Sequence, residues 1–102
     1  MSTGAHKREK GLRGEREVFH LFIGAGGAVL KLEGQGDNVV ELNDVIYHVE
    51  SKRQETLQIM KWVRQAEGEA ARPFFVPLVC FRQNSQPWRV VLRLDAFLEI
   101  VS

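Results

Sequence analysis

The stretch from Gly36 to Arg53, GDNVVELNDVIYHVESKR, leaves few folds open to the chain. Two runs of strand-forming residues are joined by Asn43-Asp44, whose side chains suit a tight turn, so the segment reads as a β-hairpin. Side chains alternate between the faces of a strand. Ile46, His48, Glu50 and Lys52 therefore share one face, and Val45, Tyr47, Val49 and Ser51 the other. Asp37 opens the earlier strand, while Glu50 and Lys52 lie near the end of the later one. Antiparallel neighbours of this kind bring the three residues together.

Carboxylates aimed at one point make a site for a hard cation such as Mg²⁺ or Mn²⁺, which takes oxygen ligands and keeps waters free for a phosphate. A lysine beside them can orient or deprotonate a water, or steady the charge that builds on phosphorus. The set suits metal-dependent phosphodiester hydrolysis.

At 102 residues the chain is the size of one domain, with no Pro/Gly/Ser linker to divide it. No apolar run approaches the roughly 18 residues of a membrane helix, and no apolar segment follows the basic N-terminus as a secretory signal would require. An intracellular, cytoplasmic protein with no membrane partner is expected. The single cysteine, Cys80, lies in the apolar run FFVPLVCF and reads as a buried, inert thiol. A net charge of +1 hides an uneven distribution: Lys7, Arg8, Lys10, Arg13 and Arg16 cluster early, and Lys52, Arg53, Arg82, Arg89 and Arg93 follow later. Acidic residues inside a basic rim fit a site where cations hold phosphates, although a solvated mixed-charge surface has the same composition.

Residues 1–10 are polar and without periodicity, and read as a flexible basic arm preceding a single domain over 11–102. From Leu12 to Ile23 the apolar spacing predicts an amphipathic helix, ended by Gly24, Gly26 and Gly27. Positions 12, 15, 19 and 22 form one stripe, which turns Glu15 toward the core and Glu17 to the wetter side with Arg13 and His20. A carboxylate so placed needs a partner or a metal, unless it merely complements the helix dipole. Strands are expected at 28–32, 39–42 and 45–52, then a helix capped by Glu55 or Thr56 and running to about Ala71. The apolar strand 74–81 contains Pro77, which argues for an edge or a bulge, and the helical crossover makes it parallel to the third strand. A last strand over 88–94 and a short helix capped by Asp95 complete the chain. The fold class is α/β, a mixed sheet of about five strands flanked by helices. The histidines have no metal-ligand spacing; His48 shares the Glu50 face, either beside a metal or as a structural residue.

A helix bearing Glu, then Asp, then Glu-x-Lys resembles the signature of the PD-(D/E)XK nucleases. The context is more specific: KGLRGEREV at 10–18 looks like the opening of archaeal-type Holliday junction resolvases and their phage relatives, and E-S-K-R at 50–53, Gln65-Ala66, Arg82-Gln83-Asn84 and Pro87-Trp88 are similar to later segments. The resemblance spans about residues 10–98 and implies a restriction-endonuclease-like αβββαβ core. It further implies a homodimeric, Mg²⁺-dependent endonuclease for branched DNA, with Mn²⁺ able to substitute, and a phage source. By that resemblance Asp37 and Glu50 hold the metal, Glu15 contributes directly or through water, the Ser51 carbonyl adds a ligand, and Lys52 positions the nucleophilic water. Lys10, Arg13, Arg16, Arg53 and Arg82 would bind DNA. Gly36 stands where a proline often precedes the aspartate, and Ser51 where an apolar residue is usual. Asp44, before Val45, rivals Asp37, although an aspartate is expected in a turn for turn chemistry alone. A less selective nicking or repair nuclease of the same fold, or a DNA-binding subunit without chemistry, remain the alternatives.

Overall fold

A computed structural model describes the backbone at 3–32, 36–70 and 72–102, and side chains at 11, 13–31, 38–70 and 72–102. The elements run α1 (Thr3–Gly24), β1 (Ala28–Leu32), β2 (Gly36–Leu42), β3 (Val45–Arg53), α2 (Ile59–Glu69), β4 (Val76–Arg82), β5 (Arg89–Val91) and α3 (Leu94–Val101). The strands form one five-stranded sheet in sequential order. All pairings are antiparallel except β3 with β4, which α2 connects as a crossover. The sheet is thus mixed, as the pattern of the chain predicts.

Asn43 and Asp44 adopt φ of 52° and 67°, the left-handed pair that matches the twist of a two-residue hairpin. Their turn fixes the register Leu42↔Val45 through Val39↔His48. A slip of one residue would send His48 and Glu50 to the opposite face.

β3 is the wall between two cores. On one face Val40, Val49, Leu78 and Cys80 pack with Val18 of α1, bordered by Phe19, Phe22, Tyr47 and Trp88. On the other, Trp62 and Ala66 of α2 pack on Val79, with Ile59, Val63 and Phe81 around them. Burial there is nearly complete, with Trp62 2% exposed. The thiol of Cys80 is buried in the first core, and desolvation pushes its pKa up to about 12.

Several boundaries differ from the sequence expectations. α1 begins at Thr3, so from that residue the basic arm expected at 1–10 is helix. Its polar residues supply no apolar stripe to reveal this, though Ala, Lys, Arg and Glu are good helix formers. α2 starts at Ile59 behind Gln58, not at Glu55 or Thr56, and no side chain caps it. The Glu55 carboxylate instead accepts from the Asn84 amide at 2.7 Å. Pro77 lies inside the sheet, not on an edge strand. It pairs with His48 on one side, whereas β5 reaches only Val79–Phe81, so the missing N–H falls where no neighbour asks for it. β5 is confined to three residues and α3 is entered from Arg93; Asp95 lies within its first turn, accepting from the Ala96 amide and paired with Arg93 at 2.7 Å.

Candidate active site

The buried line of α1 runs through Gly14 and Val18, with Glu15 on one flank and Glu17 on the other. At Gly14 the helix comes close to the sheet: a Cβ there would sit 3.2 Å from the Cβ of Arg53 and 3.5 Å from the Trp88 ring. That approach brings Glu15 over the end of β3. Gly11, Glu15, Asn38, Val49, Glu50 and Ser51 line a cavity of about 90 Å³. Helix α1 and strands β2 and β3 each contribute to it.

Glu50 is 7% exposed. Its Oε1 lies 3.6 Å from His48 Nε2, and its Oε2 lies 3.9 Å from Lys52 Nζ. Alternation along β3 explains why the three residues meet. Burial pushes the Glu50 carboxyl up, but hydrogen bonding with His48 and Glu69 and the charge of Lys52 outweigh it, leaving the pKa below the ordinary value. The group is thus held as a carboxylate in a nearly closed position.

Asp37 lies on β2, two residues before Val39, whose partner is His48. The same register continued by two residues sets position 37 across from Glu50. Its side chain, like that of Lys10, lies outside the described residues. Asp44 is in the exposed turn at the far end of β3. It is six residue steps from Glu50, roughly 20 Å at about 3.3 Å per step along a strand, so the two cannot share one ion.

The basic residues divide into two groups. Arg13 and Arg16 are exposed on α1. Arg53 and Arg82 are half-buried and converge on Glu17, at 3.7 and 3.2 Å, with the Arg82 guanidinium also 5.7 Å from the Trp88 ring centre. Glu17 therefore does not sit on the wet side with Arg13 and His20. The stripe centred on 14 and 18, rather than on 15 and 19, turns it toward β3 and β4.

Glu69 is the member that the sequence reading missed. It is the last residue of α2, and its Oε2 lies 3.8 Å from His48 Nε2. Its carboxyl pKa is raised, first by the hydrogen bond with Glu50, then by burial and by Glu50's charge. A signal was available: Trp62, Ala66 and Glu69 follow one another at helical spacing, so a carboxylate ends an apolar stripe, the same anomaly that marks Glu15.

A groove of about 680 Å³ lies at the other end of β3, lined by Phe74, Phe75, Ala96 and Ile100 with Asp44 and Arg93. It is remote from the carboxylates. Among the described residues, no helix is long and apolar enough to cross a membrane.

The fold so described is a mixed, five-stranded α/β sheet flanked by helices, of the restriction-endonuclease-like type. Among solved structures it is shared with Hjc of Archaeoglobus fulgidus, a Holliday junction resolvase from an archaeal hyperthermophile: the TM-score is 0.56 and the identity 22%, over 81% of this chain and 72% of that one. No protein-family model matches the chain, and neither does any curated protein by sequence.

Proposed function

We propose that the chain is a divalent-metal-dependent endonuclease that hydrolyses phosphodiester bonds in branched DNA. The observation that carries this reading is the convergence of Glu15, Glu50 and Ser51 on one small cavity, with Lys52 3.9 Å from Glu50. The likeness in fold to a Holliday junction resolvase supports it.

The donor set fits a hard cation. Glu15 of α1 and Glu50 and Ser51 of β3 line one cavity, the register sets position 37 opposite Glu50, and a peptide carbonyl at Ser51 would add a neutral oxygen. Asp37 and Glu50 would hold Mg²⁺, or Mn²⁺ in its place, with Glu15 and the Ser51 carbonyl completing the protein ligands. Such an ion supplies Lewis-acid polarisation of a phosphate and lowers the pKa of bound water. Lys52 orients the attacking water and offsets charge on the phosphoryl oxygens. Glu50 is ready for its part, because it is already ionised within its pocket. Lys10, Arg13 and Arg16 would track the DNA backbone from α1, and Arg53 and Arg82 would border the site. These contacts give affinity without base specificity.

The exposed apolar residues of α3 support a homodimer. None of its residues is buried, yet Leu94, Phe97, Leu98 and Val101 are apolar and exposed, with Phe74 close in the fold to the same end. A two-fold axis across α3 would cover them, and an antiparallel pair would set Arg93 of one copy near Glu99 of the other. Two sites would then act on one junction. The work belongs inside a cell, with a phage source as the sequence resemblance implies.

The test is cleavage of an end-labelled four-way junction beside a linear duplex of the same sequence, with Mg²⁺ or EDTA, using wild type and Glu50→Ala. Paired cuts in the junction alone, lost with EDTA and in the variant, are the expected result. Equal cutting of both substrates would leave a less selective nicking or repair nuclease. Binding without cutting would leave a DNA-binding subunit.

A further inference from the structure

His48, Glu50 and Glu69 stand apart from the set just described, sharing Glu50 with it. Each offers one ligand atom, and the three atoms lie within 4.8 Å of one another. His48 Nε2 is 3.6 Å from Glu50 Oε1 and 3.8 Å from Glu69 Oε2. These separations are close to those of neighbouring donors around a tetrahedral ion with bonds of about 2.0–2.2 Å, roughly 3.3–3.6 Å. The imidazole is 1% exposed and Glu50 7%, whereas the Glu69 side chain is half exposed, which leaves a side open to solvent.

We infer that His48, Glu50 and Glu69 form a second cation site, one for a divalent transition ion of the Zn²⁺, Co²⁺ or Mn²⁺ class. It rests on the nuclease reading only in that Glu50 serves both sites.

The type of ion follows from the donors. Mg²⁺ takes oxygen and retains water, whereas an imidazole nitrogen with two carboxylates suits first-row transition ions. Glu50 can serve two ions because its oxygens face different ways, Oε1 toward His48 and Oε2 toward Lys52. The surroundings also favour a cation. Glu69 ends α2, where helix carbonyls concentrate partial negative charge, and no basic residue occupies that last turn. Two carboxyl groups and an imidazole face one point there, with ligand atoms within 4.8 Å of one another. A bound ion would tie the end of α2 to β3. The consequence is an anchored Glu50.

Co²⁺ is the probe, because its visible absorption reports coordination number and ligand type. The full chain is titrated with CoCl₂ in a large excess of Mg²⁺, as wild type, Glu69→Gln and His48→Gln. The expected result is one Co²⁺ per chain that excess Mg²⁺ does not displace, with affinity at least about tenfold weaker in each variant. Wild-type affinity in Glu69→Gln, or displacement by Mg²⁺, would overturn the inference. Because His48 is a core residue, the half-exposed Glu69 carries the decision, and circular dichroism checks that both variants fold. The two readings fail separately. Mg²⁺-dependent cleavage together with unaltered Co²⁺ binding in Glu69→Gln removes the second site alone. Co²⁺ binding as expected without any cleavage removes the nuclease and leaves the site.

Discussion

Glu50 is the residue on which the most contacts of chemical interest converge: His48, Glu69 and Lys52 surround its carboxylate. On the proposed reading Glu50→Ala should lower Mg²⁺-dependent cleavage by about 10³-fold or more, since a ligand to the ion would supply several kcal/mol of transition-state stabilisation. Single-turnover kinetics on a junction substrate measure this. The pair with Glu69 yields a second expectation, for protein without metal. The folded-state pKa of Glu69 is raised from 4.5, so its contribution to stability is full below that value and is lost as pH rises through the raised one. Glu50, with a lowered pKa, contributes in the opposite sense, and its share is lost as pH falls. Glu69→Gln removes only the first effect. In EDTA near neutral pH the variant should therefore melt at or slightly above wild type, by less than about 1 kcal/mol for so exposed a group, and the two should converge in acid. Thermal melts across the acid range decide it. At this scale the sequence revealed residues with an obvious pattern. Glu50 and Lys52 share a face by strand alternation, whereas the stripe through 12, 15 and 19 that singled out Glu15 gives way to a buried line through 14 and 18. Glu69 was passed over although it ends the Trp62–Ala66 stripe, because only the packing of α2 across β3 brings it to His48 and Glu50.

Among the elements, α1 owes its placement to Gly14. Replacing it with valine would press branched carbons on Arg53 and Trp88 and lift the helix from β3, costing about 1–3 kcal/mol. Denaturant unfolding would register the loss, and Glu15, the next residue, would move with the helix. The Glu17–Arg53–Arg82 cluster ties α1 to β3 and β4. Its arginines can act on the fold, on DNA, or on both, and one variant separates these. Arg82→Ala should lower stability by about 1–3 kcal/mol by stranding part of Glu17. If Arg82 also touches a phosphate, the slope of log K against log salt falls by about one. Filter binding at several salt concentrations provides the second readout. The Asn43-Asp44 hairpin and the parallel pairing of β3 with β4 were legible, because turn chemistry acts locally and a helical crossover fixes strand direction. Helix starts were less so: the polar first turns of α1 carry no stripe, and α2 begins without a side-chain cap.

On the scale of the whole molecule, the two faces of the sheet are covered unequally. α1 and α2 close the two cores around β3, whereas α3 leaves Leu98 52% and Val101 60% exposed. If the proposed dimer forms across α3, Leu98→Glu should convert it to monomers without loss of fold, since the side chain is not part of either core. Sedimentation velocity with circular dichroism checks both halves of that statement. A mixed sheet was predictable from the succession of strand, helix and strand. The uncovered helix was not, because amphipathic sequence does not say which partner its apolar side will meet. Cys80 has a further consequence for experiment. The chain's only thiol lies in the packed centre, 3% exposed, with its proton tightly held. A thiol reagent can reach it only when the sheet parts from α1. Labelling therefore runs as a clock of spontaneous opening, and its rate in cells or in vitro reads how often the core comes apart without any probe being introduced.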